Sequence, residues 1–178
     1  TVVLLDDSIV RGTTLKESII NILSKLFPKK IIIVSSAPQI RYPDCYGIDM
    51  SVMKSFVAFQ AMIELCEEMG KEDFIEEIYE RCKAQEDLPK EEMVNHVKEL
   101  YAMFTDKQIS DRIAAIVRPA NLKYELEVLF QTIEGLHLAC PENLGDWYFS
   151  GDYPTPGGTK VVNKAFINYM EKSSERAY

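Results

Sequence analysis

An α/β fold organised on a parallel sheet is what this 178-residue sequence predicts, on three observations. The apolar run Val2 to Leu5 reads as a strand buried on both faces, the pattern of a sheet covered on each side. Apolar residues at helical spacing follow it, and Ile31 to Val34 then reads as a second buried strand. A strand–helix–strand unit with a crossover of this length implies parallel strands joined by a right-handed connection. Ligands gather at the carboxyl ends of such strands, so the residues just after Leu5 are the first place to look for chemistry.

Two adjacent carboxylates, Asp6 and Asp7, stand where the first strand ends. The loop Ser8, Ile9, Val10, Arg11, Gly12, Thr13 and Thr14 then feeds a helix whose first turn holds its last three residues. A helix start offers unpaired N–H groups and a positive dipole end to an anion. Gly12 would let the backbone approach a ligand closely, and the hydroxyls of Ser8, Thr13 and Thr14 can donate further bonds. The carboxylates can accept from ribose hydroxyls or hold a hard cation such as Mg²⁺. A purely structural turn with a helix cap would use the same residue types. The run is neither a Walker A loop nor a dinucleotide fingerprint, because it lacks Gly-Lys-Ser/Thr and GxGxxG.

Leu15, Ile19, Ile22, Leu23 and Leu26 carry the helix onward to Pro28, and Ala37 to Met50 reads as loop. From Val52 the pattern becomes amphipathic helix, over FVAFQAMIELCEEMG, FIEEIYERCKA, EEMVNHVKELYAMF and QISDRIAAIVR. Gly70, Pro89 and a capping-box pattern from Thr105 to Gln108 separate these helices. Glu64, Glu67, Glu68, Glu76 and Glu77 read as solvated helix faces. His96 and His137 stand alone in helical patterns, which points to structural roles. Trp147, Tyr148 and Phe149 read as anchors of the C-terminal tail. GGTKVVNKAFINYMEK reads as a closing helix after a Pro-Gly turn.

Composition narrows the class. Apolar content of 47% is ample for a core, and no stretch approaches a membrane span. A net charge of −8 argues against a nucleic-acid surface. Cys45, Cys66, Cys82 and Cys140 form no CxxC pair, so reduced thiols in a cytoplasmic protein are expected, with no iron–sulfur cluster.

The run DDSIVRGTT, residues 6 to 14, resembles the phosphoribosyl-pyrophosphate (PRPP) loop of type I phosphoribosyltransferases, a Rossmann-like family. Its SIVRGTT part is similar to the amidophosphoribosyltransferase branch of that family. SSAPQIRYPDCYGIDM at 35 to 50 resembles the segment after the family's next strand. VLFQTIEGL at 128 to 136 resembles its late strand and helix, and FSGDYPT at 149 to 155 a C-terminal tail found in many members. The resemblance implies that Asp6 and Asp7 bind the ribose and help hold Mg²⁺. It implies that Ser8 through Thr14 wrap the 5′-phosphate, with no residue of this chain needed as a general base.

The resemblance further implies a glycosyltransferase of the first step of de novo purine synthesis. Ammonia derived from glutamine would convert PRPP to 5-phosphoribosylamine. Purine nucleotides are the expected feedback inhibitors, and the whole protein is expected to be a homo-oligomer. Residues 1–58 would be part of the phosphoribosyltransferase core and 59–107 a helical insertion, with 108–178 completing the domain. The chain would be a C-terminal fragment, inactive alone for want of the glutaminase domain and a flexible active-site loop. A PRPP-sensing regulatory module and another PRPP-dependent phosphoribosyltransferase are the alternatives. A regulator would carry a basic DNA-binding face, which this acidic sequence does not show.

Overall fold

A computed structural model describes residues 1–44, 50–143 and 145–177. Its sheet has three strands in the order β1 (Val2–Asp6), β2 (Lys30–Ser35) and β3 (Glu125–Phe130). Both pairings are parallel, with Val2 opposite Ile31 and Ile31 opposite Leu126. The expected strand–helix–strand unit is therefore present. A helix continues from a π-turn at Leu15–Ile19 into α1 (Ile20–Ser24), and Phe27 at φ 49° turns the chain into β2.

The register explains which side chains face inward. Leu4, Ile33 and Val128 lie level on one face, with Ile33 and Val128 in the core. The opposite face carries Val3, Leu5 and Leu129, which are 62%, 71% and 43% exposed. Burial of the first strand on both faces is thus not observed. β1 lies at the edge of the sheet, and among the described residues nothing covers its second face.

The main helices pack on the covered face. Helices α2 (Val57–Glu68), α3 (Glu72–Lys83), α4 (Val97–Tyr101) and α5 (Asp106–Val117) surround Phe59, Met62, Ile78, Leu100 and Ile113. Short helices α6 (Ile133–Ala139) and α7 (Trp147–Ser150) lead to α8 (Pro156–Met170). Val162, Phe166 and Ile167 of α8 join the same core, and Phe166 meets Phe59 edge-on at 6.2 Å between ring centres.

One expected helix is much shorter than its periodicity predicts. Residues 91–104 form a 3₁₀ turn at Lys90–Glu92, an extended link and only then α4. Two buried amides hold that link open. Gln85 accepts from Val94 N at 2.7 Å and donates to Val94 O at 3.2 Å, while Asn163 Nδ2 donates to the same carbonyl at 3.0 Å. Val94 therefore spends its backbone groups on side chains rather than on a helix ladder.

The glutamates of α2 and α3 are not all free in solvent. Glu64 and Glu68 pair with Arg112 of α5, and Glu77 lies 3.6 Å from Arg81. His96 Nδ1 lies 2.9 Å from Glu99 in a hydrogen bond, whereas buried His137 Nε2 lies 3.2 Å from Asp146 without forming one. The aromatic segment fastens the tail as expected: Tyr148 O accepts from Arg41 N at 2.9 Å and Tyr42 N at 3.1 Å. No helix among the described residues is long and apolar enough to cross a membrane.

Candidate functional site

The parallel ladder sets the site's position. Beyond the strand ends, Ser36 N donates to Asp6 O at 2.9 Å and Ala37 N to Asp7 O at 3.1 Å. Ser36 Oγ also donates to Asp7 O at 3.1 Å, so the main chain of both acids is held by the residues after β2. From there the loop turns into the helix, and a crevice of about 480 Å³ opens along it.

Asp6 and the whole run Ser8 to Thr14 line that crevice, joined by Leu15, Ile19 and Met50. Asp7 does not line it. Its exposed carboxylate accepts from Ser8 N at 2.7 Å, and Asp6 Oδ1 accepts from Asp7 N at 3.0 Å. The two acids are thus adjacent at the strand end, and only Asp6 lines the cavity.

Each loop residue has a distinct part. Ile9 is 3% exposed and roots the loop in the core. Val10 O accepts from Val57 N at 2.8 Å, which ties the loop to the start of α2. Gly12 O accepts from Lys16 N at 3.0 Å and closes the first helical turn. Thr13 and Thr14 are exposed, and their hydroxyls have no hydrogen-bond partner among the described residues. Both remain available to a ligand. Arg11 is exposed at the same rim.

Gly12 is needed for a reason different from ligand approach. Its φ is +70°, and a Cβ would stand 2.7 Å from Val117 Cγ1 and 3.4 Å from Val57 Cγ2. The missing side chain points at α2 and α5, and glycine satisfies the left-handed backbone there. The π-turn after it widens the helix, as Ile20 N reaches back to Leu15 O. Asn21 Nδ2 donates to Lys16 O at 3.3 Å and to Glu17 O at 3.0 Å, supporting the carbonyls that the wider turn leaves short of partners.

Sequence reasoning passed over Leu15, Ile19 and Met50 as wall residues. The signal for Ile19 was its i+4 spacing from Leu15, which puts both on one helix face. Met50 closes the SSAPQIRYPDCYGIDM segment, whose part from Cys45 to Asp49 lies outside the described residues.

No group of three or more His, Cys, Asp or Glu among the described residues could hold a metal by itself. The carboxylates at the strand end are Asp6 and Asp7, and Mg²⁺ is commonly held by one or two carboxylates together with substrate phosphates.

Comparison with known proteins bears on this site. The amidophosphoribosyltransferase of Haemophilus influenzae is 44% identical over 75 residues, which is 42% of this chain and 15% of the relative. That of Pasteurella multocida is 50% identical over 58 residues, 33% of this chain and 11% of the relative. That of Saccharomyces cerevisiae is 40% identical over 87 residues, 46% of this chain and 17% of the relative. The chain thus matches less than a fifth of the length of these curated relatives. No protein-family model matches it, and no solved structure does. Over the matched stretches, this chain is similar to part of an amidophosphoribosyltransferase.

Proposed function

We propose that this chain supplies the PRPP-binding loop of a glutamine-dependent amidophosphoribosyltransferase, a pentosyltransferase of de novo purine synthesis. The observation that carries the reading is the crevice in which Asp6 and the run Ser8–Thr14 converge at a helix start. The 5′-phosphate sits against the main chain of the loop, with the free hydroxyls of Thr13 and Thr14 as donors. Asp6 accepts from a ribose hydroxyl, and Asp7 lies beside it at the rim. Asp6, with Asp7 beside it at the rim, would hold Mg²⁺, which when bound would supply charge stabilisation to the departing pyrophosphate.

In the reaction, the lone pair of ammonia forms a bond to C1 of the ribose as the bond from C1 to pyrophosphate breaks. The transition state has oxocarbenium character, which nearby carboxylates favour. Phosphate binding at a distance from C1 aligns the sugar for attack. None of this chain's residues needs to take the proton. The ammonia derives from glutamine in the whole protein, whose feedback ligands are purine nucleotides and whose compartment is the cytoplasm.

The test is equilibrium titration of the intact protein with PRPP in the presence of Mg²⁺. Replacing Thr13 and Thr14 together by Val should weaken binding by roughly 1–3 kcal/mol, since two donors to a charged phosphate are lost. Both side chains are exposed, so folding should be unaffected. Unchanged affinity in the double variant would sink the phosphate assignment.

A further inference from the structure

We propose a second anion site, remote from the PRPP loop, that takes a small phosphate-bearing ligand between α8, the link before α4 and the C-terminal tail. A cavity of about 620 Å³ opens there. Lys90 reaches it from the 3₁₀ turn, Lys160 and Lys164 from α8, and Arg176 from the tail. Among the described residues Glu86 is the single acid on its wall, and it is engaged with Lys164 at 3.0 Å.

In a chain of net charge −8, this convergence of cations on one cavity runs against the overall composition. Lys30 pairs with Glu125, Arg81 with Glu99 and, at this cavity, Lys164 with Glu86. Lys90, Lys160 and Arg176 have no ion-pair or hydrogen-bond partner among the described residues. An anion bound among them would be attracted by all three.

The start of α8 adds to the same field. Gly157 lies on the cavity wall in the first turn of this 15-residue helix. A Cβ on Gly157 would meet nothing nearer than Thr155 Oγ1 at 4.0 Å, so packing does not call for glycine there. Its neighbour Gly158 is different: a Cβ there would lie 2.2 Å from the Tyr153 ring. Gly158 serves the fold, whereas Gly157 keeps the positive end of the helix open to a ligand.

The site is separable from the PRPP loop by experiment. Inorganic phosphate is titrated into the intact protein while backbone amides are followed by NMR. Shifts are expected at residues 157 to 161 and around Lys90, on an isotherm separate from that of residues 8 to 14. Lys160→Glu should weaken the first isotherm about tenfold and leave the second unchanged, because Lys160 is exposed and unpartnered. Lys160→Arg should retain it. Shifts confined to residues 8 to 14, or an isotherm indifferent to Lys160→Glu, would overturn the proposal. Loss of the loop isotherm alone would refute the PRPP reading and leave this one standing.

Discussion

Gly12 and Val117 are in contact across the loop and α5 so closely that a Cβ on Gly12 would stand 2.7 Å from Val117 Cγ1. The loop's shape is therefore set by the helical layer behind it as much as by any ligand in front. Gly12→Ala should destabilise the protein by about 1–3 kcal/mol, from left-handed backbone strain and overpacking together. Urea denaturation measures this. Adding Val117→Ala should relieve only the steric part, because φ stays at +70°. A wild-type midpoint in Gly12→Ala would show that the packing is not as described.

Asp6 and Asp7 should not behave alike. Asp6 faces the crevice, whereas Asp7 is exposed and caps Ser8 N at 2.7 Å. Asparagine keeps an acceptor oxygen at each position and removes the charge. Asp6→Asn should therefore cost roughly 1.5–3 kcal/mol of Mg²⁺-dependent PRPP affinity. Asp7→Asn should cost less, because Asp7 does not line the crevice. Calorimetric titration of both variants with and without Mg²⁺ separates the two; equal losses at either position would contradict the geometry.

Thr105 is the clearest case of a residue whose role is legible from spacing alone. Its Oγ1 accepts from Gln108 N at 3.2 Å, and Gln108 Oε1 accepts from Thr105 N at 2.9 Å, closing a reciprocal cap on α5. Thr105→Ala should cost about 0.5–2 kcal/mol of stability in thermal or urea unfolding. PRPP affinity should be unchanged, since neither residue borders the crevice.

What was legible shares a common trait: it depends on local chemistry. The strand periods, the Thr105 cap and the loop after Asp7 are each specified within a few residues. What was not legible depends on partners far away in sequence. The helix predicted across Met93 and Val94 is opened by Gln85 and Asn163, the second of them 69 positions distant. Gly12 reads locally as a phosphate-loop glycine, but its Cβ direction is fixed by Val57 and Val117. The bare face of Val3 and Leu5 reads as buried because periodicity reports apolarity, not the presence of a neighbour.

Glu99 provides a pH-dependent test of the α3–α4 junction. The Arg81 guanidinium, and then His96, hold its carboxyl below the usual carboxylate range. A depressed carboxylate stabilises the folded state above its unfolded pKa, and that contribution is lost as the pH falls through the folded value. The window is therefore acidic, below pH 4.5. Arg81→Ala should move the Glu99 titration upward in an NMR pH series. No movement would mean that the bidentate contacts, both 2.8 Å, do not persist in solution.

Thiol reactivity should divide along burial. Desolvation pushes Cys66 up to about 11 and Cys82 up to about 12, whereas Cys140 is exposed after α6. The thiolate is the reacting species, so at pH 8 the two buried groups are both neutral and shielded. Cys82 is held further by its contact with Asn163 Oδ1 at 3.6 Å, the same amide that clamps Val94. Iodoacetamide at pH 8, with peptide mass spectrometry, should therefore modify Cys140 well before Cys66 or Cys82. Urea should bring the buried pair to the rate of Cys140. Asn163→Ala should speed labelling of Cys82 selectively, because releasing Val94 loosens the link that covers it; equal acceleration of Cys66 would instead mark general unfolding.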